Sequence, residues 1–296
     1  MKEKPFSKYQ ILANAVMIIW TLAIILPFIL LFMSSITDEN TLVANGYSFF
    51  PKKFSLASYS YIIKSGGQIL KAYGVSIGVT VVGTLLNVLL SALMAYPLSV
   101  KNLPGRNVMM FFVFFTMLFN GGIVPSYIMW TGTFHIKDTI FAQLLPNFLL
   151  SAWNVMRIRT YFTTSIPDGL YEAAEIDGAS QFTIFWKIVL PLGKPILVTM
   201  GTFAGLAYWN DWTNGLYYIV KNTGLYNVQN LLNQMVQNIQ FLTQSSNSNV
   251  TAAASTIPAT GIQMAIAFVA ILPIMLIFPS FQKYYAKGIA LGAVKG

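Results

Sequence analysis

Residues Pro167 to Pro191 read P-D-G-L-Y-E-A-A-E-I-D-G-A-S-Q-F-T-I-F-W-K-I-V-L-P. Apolar segments of membrane length lie on either side, yet this stretch is polar at one end and amphipathic at the other. From Leu170 to Ile176 the residues favour helix, with Ala173 and Ala174 at the centre. Gly178 ends that helix, because glycine takes the left-handed C′ conformation without Cβ strain. Ser180 is placed to cap a second helix through its side-chain oxygen. The second helix carries Phe182, Phe185, Trp186 and Val189 at spacings of three and four, which predicts one apolar face. Pro191 and Pro195 mark the turn into the next segment. The stretch predicts two short helices joined by a glycine elbow, too short and too polar to cross a bilayer.

Its spacing is E-A-A, three residues, G, nine residues, I-x-L-P. That pattern, carried by Glu172, Ala173, Ala174, Gly178, Ile188, Leu190 and Pro191, resembles the EAA loop of ABC importer permeases. The resemblance implies that 167–191 is a cytoplasmic coupling loop whose helix seats in a cleft of a separate ATPase subunit.

Composition agrees with a membrane location. Of 296 residues, 55% are hydrophobic and only 9% charged, with mean hydropathy +0.62. A soluble domain carries about 25% charged residues. The chain has no cysteine, which excludes disulfides, thiol nucleophiles and thiolate metal sites. The formal charge of +9 sits in loops between apolar segments, so it reports topology rather than nucleic-acid binding.

Six spans are predicted, about 11–35, 71–98, 108–130, 140–155, 196–212 and 262–281, in a single all-α polytopic domain covering 1–296. The first follows Lys2, Lys4 and Lys8. It is too long for a signal-peptide core and no small-x-small site follows it, so it reads as an uncleaved helix with Pro27 as a kink. The second holds Gly74 and Gly78, and the fifth Gly201 and Gly205, at the GxxxG spacing that permits close helix contact. The third is broken by Asn120-Gly121-Gly122 and Pro125. Such a break is tolerated at membrane depth only where protein or a water-filled cavity satisfies the freed backbone. Residues 214–258 form a long polar loop rich in Asn, Gln and Ser.

Six spans put both termini on one side. The segments on that side hold 12 Lys and Arg, and the opposite loops hold 6. The positive-inside rule therefore places both termini, and the 167–191 stretch, in the cytoplasm.

No Walker A pattern exists, since Gly193-Lys194 is followed by Pro195 and lacks the upstream glycine. ATP and magnesium, if transport uses them, belong to a partner, and this chain carries no catalytic residue, metal site or cofactor of its own. His135 is the only histidine and stands beside Lys137 and Asp138 in a short outer loop, where it reads as a surface residue.

Ionisable groups within spans are costly and point to function. Asp211 is the acidic candidate, in Tyr208-Trp209-Asn210-Asp211-Trp212. Aromatic faces stack on sugars, and Asn and Asp read hydroxyls. An interfacial aromatic belt explains Trp and Tyr but not Asn and Asp. The segment is therefore assigned to a substrate path. It also looks like the W-N-D/E-aromatic signature of carbohydrate permeases.

The tail 287–296, K-G-I-A-L-G-A-V-K-G, resembles the end of the maltose-type second permease. That likeness implies that Lys287, Gly292, Val294, Lys295 and Gly296 run between the ATPase subunits, with the glycines permitting an extended strand. Phe119 to Pro125 is similar to the branch serving complex oligosaccharides in Gram-positive bacteria and alginate uptake.

Together these features resemble the shorter permease of a carbohydrate ABC importer of type I fold. They imply a second homologous permease, two ATPase subunits, an extracytoplasmic binding lipoprotein, an oligosaccharide substrate and a bacterial cell membrane. An ABC permease for another solute shares the EAA loop but not the W-N-D segment. An ion-coupled secondary transporter wants several buried ionisable groups and inverted repeats, which the sequence lacks. An intramembrane enzyme needs a catalytic pair that is equally missing.

Overall fold

The computed structural model describes residues 8–64, 66–244 and 259–293. Among these the chain is helical between its loops, with one isolated antiparallel bridge, Thr37 to Phe54. It divides into two compact units, Met1–Ile69 with Leu232–Ile274, and Leu70–Leu231 with Met275–Gly296.

The first unit begins with the helix Lys8–Ser35, 28 residues long. At 1.5 Å per residue it extends about 42 Å, enough for a bilayer with its headgroups. Its apolar stretch within Tyr9–Ser35 is not buried by the rest of the described chain. Pro27 lies inside the continuous helix. Two short helices, Glu39–Asn45 and Ala57–Lys64, follow. Ile62 packs with Ile262, Ala265 and Ile266 of the last helix, Ala259–Ala293. The Glu39 carboxylate accepts from the backbone N–H of Thr260 (2.9 Å) and Gly261 (2.8 Å), satisfying two free donors at the start of that helix.

The second unit is built on the helix Gly66–Ser99. Gly83 lies under the ring of Tyr208, from the helix Lys194–Asn210. Gly201 and Gly205 of that helix face Val88 and Thr84, so the second GxxxG pair makes the close contact its spacing predicts. Gly74 and Gly78 meet nothing within 4 Å of an added Cβ, so the first pair makes no such contact among the described residues.

The expected third span is two helical segments, Arg106–Leu118 and Ile123–Thr133, bent by 109°. Gly122 has φ +87° at the break, and its N–H donates to Asn120 Oδ1 at 2.8 Å. The freed donor is thus satisfied locally, by the Asn-Gly-Gly chemistry that marked the break in the sequence.

The fourth expected span, 140–155, is not one helix. A single turn, Phe141–Leu144, is followed by irregular backbone and then by Ala152–Ser165. Pro146 cannot donate to a continuing helix, and Asn147 sits at φ +67°. Ala152–Ser165 buries Val155, Ile158 and Phe162 in the largest apolar cluster among the described residues, with Ala92, Ala95, Leu98, Ile184, Phe185 and Val189.

The segment from Asn214 contains more structure than a loop. Thr213–Tyr218 is helical, and Val228–Gln244 forms a 17-residue amphipathic helix. Val228, Leu231, Leu232 and Met235 recur at spacings of three and four, a helical signal that its Asn and Gln content obscured. Among the described residues three helices are long and apolar enough to cross a membrane, rising to five if each of two bent pairs is one span.

Candidate functional site

The 167–191 stretch folds largely as its residues dictate. Asp168–Ile176 is the first helix, and Gly178 closes it at φ +75° with its N–H on the Glu175 carbonyl. Ser180 Oγ accepts from the Thr183 N–H at 3.2 Å, capping Gln181–Ile184. The helix then widens into a π turn over Phe185–Val189. That turn divides the single apolar face expected of Phe182, Phe185, Trp186 and Val189. Ile184, Phe185 and Val189 are buried, whereas Phe182 and Trp186 face outward. A π turn advances side chains by a smaller angle than an α turn, so a 3.6-residue period misplaces them. The chain next bends by 78° between Gln181–Leu192 and Lys194–Asn210. Gly193 sits at that bend, where an added Cβ would lie 2.6 Å from the Phe162 ring.

Polar contacts tie this stretch to the rest of its unit. Tyr96 Oη donates to Gln181 Oε1 at 2.6 Å, and Gln181 Nε2 donates to Glu175 Oε1 at 2.8 Å. Lys101 pairs with Asp168 at 2.5 Å, an exposed bridge of small energetic weight. Tyr171 and Phe185 flank the Tyr96 ring. Burial pushes the Tyr171 phenol up to about 12, so it stays neutral. Apart from Glu175 and Gln181, six residues apart, these partners lie far along the chain from one another, which is why the sequence did not reveal them. Of the motif residues, Ala174 is buried, while Glu172, Ala173, Gly178 and Pro191 are exposed and Ile188 and Leu190 half-buried. Ile176 (86% exposed) and Phe182 (67%) flank them, so this surface is apolar as well as open.

Tyr208 to Trp212 divides into two sets. Tyr208 is buried against Val79 and Leu144, and its hydroxyl donates to the Leu144 carbonyl at 2.9 Å. Trp209 is buried near Tyr73. Asp211 Oδ1 accepts from Thr213 N–H (3.0 Å), Thr213 Oγ1 (2.7 Å) and Asn214 N–H (3.3 Å), so it starts the Thr213–Tyr218 helix. Asn210 and Trp212 alone are exposed.

A buried polar cluster that the sequence did not announce surrounds this turn. Asn227 Nδ2 donates to the Asp211 carbonyl at 2.6 Å, and Asn230 Nδ2 donates to the Trp212 carbonyl. Gln143 Nε2 reaches Asn230 Oδ1 at 3.3 Å, and Asn214 Nδ2 reaches the Pro146 carbonyl at 3.1 Å. These amides satisfy the irregular backbone at 145–151 and 211–213, as buried main-chain groups require.

In the tail, Lys287 and Gly292 lie within the helix Ala259–Ala293, so the backbone there is helical where an extended strand was expected. Val294, Lys295 and Gly296 fall outside the described residues. Among the described residues no group of His, Cys, Asp and Glu could hold a metal ion.

Residues 72–291 match the family of binding-protein-dependent transport system inner membrane components. The chain belongs to that family, and it is a multi-pass membrane permease subunit. It is 36% identical to the polygalacturonan/rhamnogalacturonan transport system permease protein YtcP of Bacillus subtilis (strain 168), over 97% of this chain and 98% of that protein. It is also 36% identical to protein LplC of the same organism, over 92% and 90% of the two chains. A crystal structure of a bacterial ABC transporter that imports the acidic polysaccharide alginate contains a similar chain. There the TM-score is 0.79 at 26% identity, covering 96% of this chain and all of the other. The fold is that of a type I ABC importer membrane subunit.

Proposed function

We propose that this chain is one permease of an ATP-driven oligosaccharide importer, the shorter member of a heterodimeric pair. The observation that carries the reading is the exposed coupling surface. Glu172, Ala173 and Gly178 keep the spacing of the EAA loop, and a glycine elbow with positive φ presents them on a stretch tied to the helix Gly66–Ser99. The similarity to a polygalacturonan/rhamnogalacturonan transport permease supports a carbohydrate substrate. ATP and magnesium would act on two partner ATPase subunits, and a binding lipoprotein would deliver the sugar outside the cell. Both termini would lie in the cytoplasm, as the distribution of Lys and Arg favours.

In this mechanism nucleotide-driven closure of the ATPase pair moves the 167–191 stretch. The spans then reorient between inward- and outward-open states. Asn210 and Trp212 face the sugar path, while Tyr208, Trp209 and Asp211 hold the turn that presents them. Lys287, Gly292, Val294, Lys295 and Gly296 contact the ATPases.

Glu172→Lys or Gly178→Asp tests the coupling role in the assembled transporter. Uptake is lost while the chain still inserts and the permease pair still forms. Normal uptake in both variants would remove the docking assignment. Trp212→Ala and Asn210→Ala test the path, and each raises the sugar concentration needed for half-maximal uptake. Unchanged uptake kinetics in both would return the segment to an interfacial belt.

A further inference from the structure

The loop after the first span holds Tyr47, Phe49, Phe50, Pro51, Lys52, Lys53 and Phe54. It presents apolar rings to the outside, with Phe50 87% and Phe54 65% exposed. Leaving such surface in water forgoes about 25 cal/mol per Å². The loop is not free to place these rings anywhere. Thr37 and Phe54 form an antiparallel bridge, Asp38 N–H donates to the Lys53 carbonyl (3.0 Å), and Ser55 N–H donates to the Ile36 carbonyl (2.8 Å). Lys53 also pairs with Asp38 at 3.3 Å. Phe54 is thereby pinned beside residue 37, two residues past the end of the helix Lys8–Ser35.

Two extended residues reach at most about 7 Å, and paired strands lie about 5 Å apart. The apolar run of that helix, 11–33, ends just short of Ser35, so the Ser35 end stands at the edge of the roughly 30 Å hydrocarbon core and this range matches the depth of the headgroup zone beyond it. Aromatic rings settle at this depth because one face is apolar and the surroundings are partly wet. Lys52 is exposed and makes no ion pair with a described residue, so its ammonium is available to a lipid phosphate.

We infer that Phe50, Phe54 and Lys52 form a lipid anchor. The rings enter the headgroup–acyl boundary at the Ser35 end of the first span, and Lys52 meets anionic headgroups. The bridged loop would thereby fix the depth of a helix whose apolar surface the rest of the described chain leaves uncovered.

The absence of cysteine makes a direct test available. Phe50→Cys, and separately Phe54→Cys, would be spin-labelled in the purified transporter complex. Each would be placed in nanodiscs of phosphatidylcholine with and without phosphatidylglycerol. The natural complex treated identically supplies the background from partner subunits. The expected result is stronger relaxation of both labels by oxygen, which partitions into lipid, than by an aqueous nickel chelate. Adding Lys52→Glu moves the labels outward in phosphatidylglycerol discs only. Stronger relaxation by the nickel chelate would show a solvated loop, and protection from both agents would show a covering protein surface. Either outcome overturns the anchor. If one cysteine variant fails to assemble, the other decides the question.

Discussion

Gly83 has no side chain because Tyr208 occupies the space one would need. An added Cβ would lie 2.4 Å from Cζ of that ring, below any ordinary contact distance. The ring cannot retreat freely, since its hydroxyl is held by the Leu144 carbonyl. Gly83→Ala should destabilise the protein by about 1–3 kcal/mol, the usual cost of overpacking. A lower Tm of the purified complex checks this, and an unchanged Tm would mean that the two helices separate more easily than the contact suggests. Asp138 acts at a turn rather than in a span. Its Oδ1 accepts from the N–H groups of Val220 (2.7 Å), Lys221 (2.7 Å) and Asn222 (3.2 Å). Partial loss of hydration pushes its pKa up, but these three donors and the neighbouring Lys137 outweigh it and hold the group below the usual carboxylate value. A depressed folded pKa contributes stability above the unfolded pKa of about 3.9 and loses it as pH falls through the folded value. Hydrogen exchange at 220–222, normalised to intrinsic rates, should therefore be slow at neutral pH and faster in acid. Asp138→Asn should exchange faster at neutral pH and lose the acid dependence. Equal protection in both proteins at pH 7 would show that the charge contributes nothing to the turn.

At the scale of elements, the 167–191 stretch must move as one piece with a span if it is to transmit force. In the proposed mechanism one contact that would do this, beside the apolar packing, is the chain from Glu175 through Gln181 to Tyr96, near the end of the helix Gly66–Ser99. Tyr96→Phe keeps the ring packing and removes the hydroxyl. It should lower sugar uptake per ATP hydrolysed while ATPase activity persists, a split that a general folding defect would not produce. Gln181→Leu removes both the acceptor for Tyr96 and the donor to Glu175 and should uncouple at least as much as Tyr96→Phe. Equal transport stoichiometry in Tyr96→Phe and the natural protein would leave the link structural only. The π turn at Phe185–Val189 matters here too. It turns Phe182 and Trp186 outward while Phe185 and Val189 hold the core, so one short segment serves both an inner and an outer surface.

At the scale of the whole molecule, the exposed apolar surfaces imply that the chain is one part of an assembly in a bilayer. Solubilised gently from its own membranes, the tagged chain should retain a second permease and an ATPase. Their loss under conditions that preserve such complexes would contradict the proposed assembly.

Much of this was readable from the chain itself. The Asn120-Gly121-Gly122 break, the Gly178 elbow and the Ser180 cap are dictated by the dihedral and hydrogen-bonding preferences of a few adjacent residues, and each stands where those preferences put it. The membrane class followed from apolar length alone. Tertiary structure decided what is distant in sequence or ambiguous in lipid. Asp138 meets Val220 across 82 positions, and Glu39 meets Thr260 across 221, separations that no local pattern encodes. Hydropathy could not tell the packed Gly201–Gly205 pair from the open Gly74–Gly78 pair. Lipid tails are as apolar as a protein core, so a spanning helix carries no polar face to reveal which side packs. For the same reason Asp211 could be recognised as costly from sequence, while its place as the cap of Thr213–Tyr218 depended on where the folded chain put its neighbours.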